Sequence, residues 1–206
     1  EGALTEVHDM LNRMYELAIQ SANGTYDNEV DRDNLQAEFT ALTDEIDRIA
    51  ESANFNGIEL LDGSISTAAS ALVLQIGDTS DDFNQLSVVI GDMHAATLGN
   101  GVSSLEDINI ESVTFAQAAV DVIKGAINQV SSTRGDLGAI QNRLEHTVNN
   151  LSVMEENIQN AESRIRDTDV AEEMMSYVKN NILIQSAQAM LAQANQVPQG
   201  VLQLLQ

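Results

Sequence analysis

One apolar stripe dominates the chain. Ile123, Val130, Leu137, Leu144, Leu151, Ile158 and Ile165 recur every seven residues without a miss. Three positions further on stand Ala126, Thr133, Ile140, Thr147, Met154 and Ala161, mostly small or apolar. This heptad predicts a helix over about 114–165 whose seam faces a partner helix. At about 1.5 Å per residue, the stretch 123–165 makes a rod of roughly 64 Å.

Two shorter stripes precede it. Leu4, Val7, Leu11, Met14 and Ala18 alternate steps of three and four, which predicts a helix over about 3–20. Ser21 to Thr25, with an Asn-Gly pair, forms the stop. Leu35, Phe39, Leu42, Ile46 and Ile49 repeat the spacing over about 33–52, and Thr43, Asp44, Glu45, Asp47 and Arg48 begin a charged outer face. These two helices form a hairpin that covers part of the long seam.

The middle changes period. Phe55–Gly63 holds a short apolar run between two Gly turn signals. Leu72, Leu74 and Ile76 then alternate with Val73 and Gln75, and Leu86, Val88 and Ile90 alternate with Ser87 and Val89. That pattern predicts two strands of a hairpin, in a β region over about 55–92. Residues 91–112, rich in Gly, Ser and Asn, read as loop. Acids interrupt the apolar stripe after Arg166. Asp169 is the candidate N-cap of a last helix, with Glu172 and Glu173 in its first turn and Pro198-Gln199-Gly200 at its end. The fold class is therefore mainly α. It is an elongated antiparallel helical bundle or coiled-coil rod, with a small β-hairpin region and a C-terminal helix. A rod domain over 1–165 and a C-terminal segment over 166–206 follow.

Charge sharpens this division. The 206 residues carry 32 acids against 9 Lys and Arg, a net charge of −23. Residues 1–115 hold 22 acids against Arg13, Arg32 and Arg48, a net of −19, which leaves −4 for the rest. Such a field repels phosphates and anionic lipid, so nucleic acid and membrane are poor partners. By contrast, Asn180 to Gln206 contains no charged side chain. A helix with a broad apolar face and no charge requires cover. Nothing in the chain is left over to supply it, so association with other chains, or with a missing N-terminal part, is expected. Aromatics make up only 3% of the sequence, which suits helix seams rather than a thick core. There is no cysteine for disulfide or thiolate chemistry. Glu1 is not an initiator Met, and the pattern from Leu4 starts in mid-helix, so the chain reads as a fragment.

Candidate chemistry is sparse. His8, His94 and His146 lie far apart and form no ligand pair. Asp27, Glu29, Asp31, Asp33 and Glu38 fall at calcium-loop positions 1, 3, 5, 7 and 12, but Arg32 occupies the sixth, where the loop needs Gly. An acidic helix start is the better reading. Asn23-Gly24-Thr25 matches a glycosylation sequon but reads better as a turn. No phosphate loop, nucleophile elbow or carboxylate pair appears. The expectation is a protein that is not an enzyme and has no cofactor or metal.

Two long blocks carry a family resemblance. The stretch from "GALTEVHDMLNRMYELAIQSANGT" to "FNGIELLDG" and the stretch from "INQVSSTRGDLGAIQNRLEHT" to "VPQGVLQLLQ" resemble bacterial flagellins, in family order. They cover about two-thirds of the chain. Only 66–115 separates them, so the resemblance implies a compact flagellin. It implies a helical rod with a small β region and a terminal helix that pairs with an N-terminal one. It also implies a secreted structural subunit of the extracellular flagellar filament. A chain lacking the family's N-terminal helix should polymerise poorly.

The resemblance implies three partners: other flagellin subunits, the flagellin export chaperone and the host Toll-like receptor for flagellin. Chaperone and polymerisation contacts fall within about 166–206, on Met174, Val178, Ile182, Ile184, Ala187, Met190, Leu191, Ala194, Val201, Leu202 and Leu205. Receptor contacts fall on Arg13, Leu17 and Glu38. Asn12 and Tyr15 depart from the Gln and Arg common in strongly stimulating flagellins. The competing reading is a secreted helical adhesin or binding module. It needs an exposed aromatic or cationic patch, and the composition offers none.

Overall fold

A computed structural model describes residues 1–27 and 30–204, with side chains as far as 196. The chain divides into two compact units, Glu1–Asn149 and Asn150–Gln206. The division falls inside a helix rather than at its end near 165, where the stripe alone places it. Packing against the first two helices has already ended by that point.

In the first unit, α1 (Gly2–Ser21) and α2 (Asp31–Ser52) lie within two residues of their expected limits. The apolar stripe of α1 is wholly buried: Leu4, Val7, Leu11, Met14, Leu17 and Ala18. Phe39, Ile46 and Ala50 of α2 join them. The third helix, α3 (Val113–Arg166), contributes Ala116, Ala119, Ile123, Ala126 and Val130 to the same cluster. Small residues on α3 let the helices approach closely, which compensates for the scarcity of aromatic side chains. Polar links reinforce the pairing. Arg134 Nε donates to Glu1 at 2.8 Å, and Lys124 Nζ sits 5.7 Å from the Tyr15 ring centre.

The turn between α1 and α2 is organised by a buried arginine. Arg32 donates from Nε to Ser21 O at 2.9 Å, from Nη2 to Asn23 O at 2.8 Å and from Nη1 to Tyr26 O at 2.6 Å. Carbonyls at a helix C-terminus lack intrahelical donors. One guanidinium, with its fixed fork of N–H groups, supplies several at once.

Two small antiparallel sheets follow α2. Strands β1 (Asn54–Phe55) and β2 (Ile58–Glu59) pair across Asn56 and Gly57, whose φ values of 53° and 80° suit a two-residue hairpin loop. This hairpin opens the β region expected over about 55–92, at the first of its two Gly turn signals. Strands β3 (Leu72–Gln75) and β4 (Gln85–Val88) match the alternating runs, with Leu72 opposite Val88 and Leu74 opposite Leu86. Leu86 and Val88 point to the core while Ser87 is exposed.

Residues 91–112 form no helix or named strand, yet they fill the core with Met93, Ala95, Leu98, Leu105 and Ile110. Side chains from the helices fasten this segment. Ala95 N donates to Asp47 Oδ1 at 2.7 Å, Gly99 N to Gln129 Oε1 at 3.0 Å and Ile110 N to Gln36 Oε1 at 2.7 Å. Ser21 Oγ donates to Ile110 O. Asp47 thus anchors a loop instead of joining a solvated outer face.

The final helix, α4 (Val170–Leu204), begins at the expected cap. Asp169 Oδ1 accepts from Ala171 N at 2.9 Å and Glu172 N at 3.3 Å. It does not stop at Pro198 as the sequence suggests. A single proline removes one ladder bond, and its Ala-, Gln- and Leu-rich flanks favour helix.

The close approach of loop and helix yields a test. A Cβ on Gly125 would lie 2.5 Å from Gly99 O and 2.6 Å from Asn100 Cα. Gly125→Ala should therefore destabilise the fold by about 1–3 kcal/mol of overpacking, read as a lower urea midpoint. That outweighs the roughly 1 kcal/mol that Ala normally adds to a helix interior.

Candidate functional site

The heptad on α3 changes character along its length. Ile123 and Val130 are fully buried, and Leu137 and Ile140 pack at the edge of the core. Beyond them the same stripe is uncovered: Leu151 is 41% exposed, Ile158 63% and Ile165 88%. Val153, Met154, Ile158 and Ala161 line a shallow groove with Asn150 and Asn157. Among the described residues, the stripe is therefore covered in cis only over its first part.

Helix α4 is uncovered as well. Met174, Val178, Ile182, Ile184, Met190 and Leu191 are exposed large apolar residues, and Ala187 and Ala194 are exposed beside them. Met174, Met175, Val178, Ile182 and Leu183 line an apolar hollow, bordered by Lys179. Of the remaining expected assembly residues, the side chains of Val201 and Leu202 and the whole of Leu205 lie outside the described residues. These surfaces offer apolar area and little else. Burial of one such Leu, Ile or Met side chain stabilises by about 1.5–3 kcal/mol, which is the energy such a surface could supply to association.

A second arrangement sits on the first unit. Arg13 Nε donates to Glu38 at 2.7 Å, and Arg13 Nη1 to Glu16 at 3.3 Å. Glu38 first, then Glu16, push the Arg13 pKa above its ordinary value. The pair joins α1 to α2 and stays about half exposed. Leu17 does not share this surface. It is 0% exposed, so its expected receptor contact gives way to a packing role.

The other candidates are used structurally. Asp31 Oδ2 accepts from Asp27 N at 3.0 Å, Arg32 serves carbonyls and Glu38 serves Arg13. Glu29 lies outside the described residues. Among the described residues no group of three His, Asp or Glu side chains is placed to hold a metal ion. None of their helices is long and apolar enough to cross a membrane. Phe55, Phe83 and Phe115 are exposed, each on a separate element, and form no aromatic patch among the described residues. His8 Nδ1 is buried without a hydrogen-bond partner, and His146 is exposed.

His94 is the histidine with a defined role, which the sequence reading missed. Its Nδ1 lies 2.6 Å from Asp92 Oδ1 at the start of the core-filling segment. The hydrogen bond to Asp92 chiefly raises its pKa, aided by the charges of Asp92, Asp47 and Glu51 and opposed by burial. The only advance signal was the spacing of Asp92 and His94 two residues apart.

These features define a class: a helical subunit with a closed core and two uncovered apolar helix faces, made for assembly. Comparison with known proteins agrees. Residues 1–66 match the family model for the bacterial flagellin N-terminal helical region, and residues 120–205 match that for the C-terminal helical region. The chain is 51% identical to the flagellin of Bacillus subtilis and 48% identical to that of Halalkalibacterium halodurans. Each alignment includes 100% of this chain, with 75% and 72% of the respective relative. The fold resembles the crystal structure of Bacillus cereus flagellin with a TM-score of 0.59, at 32% identity, over 78% of this chain and 86% of that one. The chain belongs to the bacterial flagellin family, whose members are structural subunits of the flagellar filament.

The His94–Asp92 pair predicts a pH dependence. Because the folded-state pKa is raised, the pair contributes fully below the unfolded value of about 6.5 and is lost as pH rises through the folded value. The stability difference between wild type and His94→Gln, read from urea midpoints, should be largest at mildly acidic pH and shrink on the alkaline side.

Proposed function

We propose that the uncovered faces of α3 and α4 are the polymerisation surfaces of this filament subunit. The carrying observation is the α3 stripe itself, buried at Val130 and open at Ile158 without a change of period. A seam of this kind has one physical use, which is to pack against another helix. The uncharged α4 face suits the same purpose, since a carboxylate there would be costly to desolvate. Before export, the same α4 face would bind the flagellin export chaperone. A subunit that leaves the cell unassembled needs that apolar surface covered while it waits.

The ion pair of Arg13 and Glu38 supports a second, separate role. A half-exposed guanidinium with two acidic neighbours gives a polar, directional feature on an otherwise acidic surface. We assign recognition by the host Toll-like receptor for flagellin to Arg13 and Glu38, with Leu17 holding α1 in place beneath them. The adhesin reading has no comparable support, because the exposed phenylalanines belong to separate elements.

Two experiments test these assignments. Ile182→Asp should raise the critical concentration for polymerisation of the whole subunit by tenfold or more, since an unpaired buried carboxylate costs roughly several kcal/mol. The same substitution should weaken chaperone binding by calorimetry, with unit-one unfolding unaltered. Unchanged assembly and unchanged chaperone affinity would remove α4 from both interfaces. Arg13→Ala should lower receptor signalling at constant helix content, and equal signalling would exclude Arg13 from the recognition surface.

A further inference from the structure

The sequence contains three Asn-Gly pairs, at 23–24, 56–57 and 100–101, which the filament role does not explain. An asparagine followed by glycine is open to attack on its own side chain, because glycine has no Cβ to shield its amide nitrogen. The three sites share this chemistry but differ in how firmly the fold holds them.

Asn23 is locked. Its Oδ1 accepts from Thr25 N at 3.3 Å, and its carbonyl accepts from the buried Arg32 at 2.8 Å. Asn100 is held more firmly still. Its Oδ1 accepts from Val102 N and Ser103 N, both at 3.0 Å, while Gln129 Oε1 holds the neighbouring Gly99 N. That loop also lies against α3 at Gly125.

Asn56 is different. Among the described residues no hydrogen bond engages its side chain or the Gly57 N–H. The hairpin that carries it has two residues in each strand, all four of them exposed, with Phe55 at 71%. Isolated two-stranded hairpins are marginal in water, and such segments open locally at little cost. Asn56 and Gly57 therefore have the freedom to reach a reactive geometry that the other two pairs lack.

We infer that Asn56 is a site of spontaneous deamidation, which marks the β1–β2 hairpin as the subunit ages. The Gly57 amide nitrogen gives its proton to solvent base and attacks Asn56 Cγ. A new N–Cγ bond closes a five-membered succinimide, the Cγ–Nδ2 bond breaks and ammonia leaves. Water then opens the ring at either carbonyl. One product is aspartate, and the other is isoaspartate with the main chain rerouted through the side-chain carbon. The balance is one water consumed and one ammonia released, without oxidation or reduction. Either product places a new negative charge on the hairpin that carries Glu59, whose carboxyl Asp62 and Glu51 already push upward. The isoaspartyl form also adds a backbone carbon to a turn that fits two residues. Without a repair enzyme the reaction runs one way, so the acid at position 56 accumulates with time.

The test is peptide mapping by mass spectrometry after incubating the purified chain at mildly alkaline pH. Asn56 should convert about tenfold faster than Asn23 and Asn100, reflecting the difference in local opening. It should yield two products of equal mass, one of them methylated by a protein-isoaspartate methyltransferase used as a probe. Hydrogen exchange supplies the second measurement, with the Ile58 amide expected to exchange far faster than that of Leu11. Conversion of Asn23 or Asn100 first, equal rates at all three sites, or an Ile58 amide as protected as Leu11 would each overturn the inference.

Discussion

The structure depends on one apolar stripe that is longer than the cover the described residues provide for it. Along α3 the heptad runs unbroken from Ile123 to Ile165, but α1, α2 and the core-filling segment bury only its first part. A periodic seam does not stop demanding a partner where the local packing ends. The same pattern that closes the core of the first unit stays exposed in the second, where we propose that it serves as an interface. On that proposal, folding and assembly use one interaction, divided between residues of the same helix.

What makes the closed part possible with so few aromatics is polar fastening. Arg32 gathers the carbonyls after α1, while Asp47, Gln36 and Gln129 hold backbone amides of the 91–112 segment. Buried backbone groups must be paired, and each of these side chains lets an irregular segment enter the core. Met93, Leu98, Leu105 and Ile110 then supply the apolar volume that strands or large rings would provide elsewhere. Gly125 belongs to the same arrangement, because a helix can meet a backbone this closely only without a Cβ.

Much of this was legible in the residues. Periods of seven and of three and four located α1, α2 and α3, and alternation located β3 and β4, because each pattern reports one buried face. The core-filling role of 91–112 was not legible. Its apolar residues follow no period, and their burial depends on distant side chains such as Asp47 and Gln129. Leu17 illustrates the converse. Family likeness pointed to its position, but only the packing of α1 against its neighbours shows that the side chain faces inward. The β1–β2 hairpin lies inside the expected β region, but its own pairing was not legible because two-residue strands leave no alternation to read. Pro198 misled because a breaker signal is local, whereas the helix around it is sustained by its flanks.

The charge pattern fits the same division of labour. Acids are concentrated in residues 1–115, and the stretch from Asn180 onward is neutral, so electrostatic repulsion is kept away from the proposed assembly surface on α4. Hydrogen–deuterium exchange, followed through α3 and α4 before and after filament assembly, tests the central claim most directly. The account predicts that amides around 116–130 are protected in both states, whereas those around 151–165 and 174–194 gain protection only on assembly. Equal protection along α3 in the free subunit, or no gain beyond residue 150 in the filament, would contradict it.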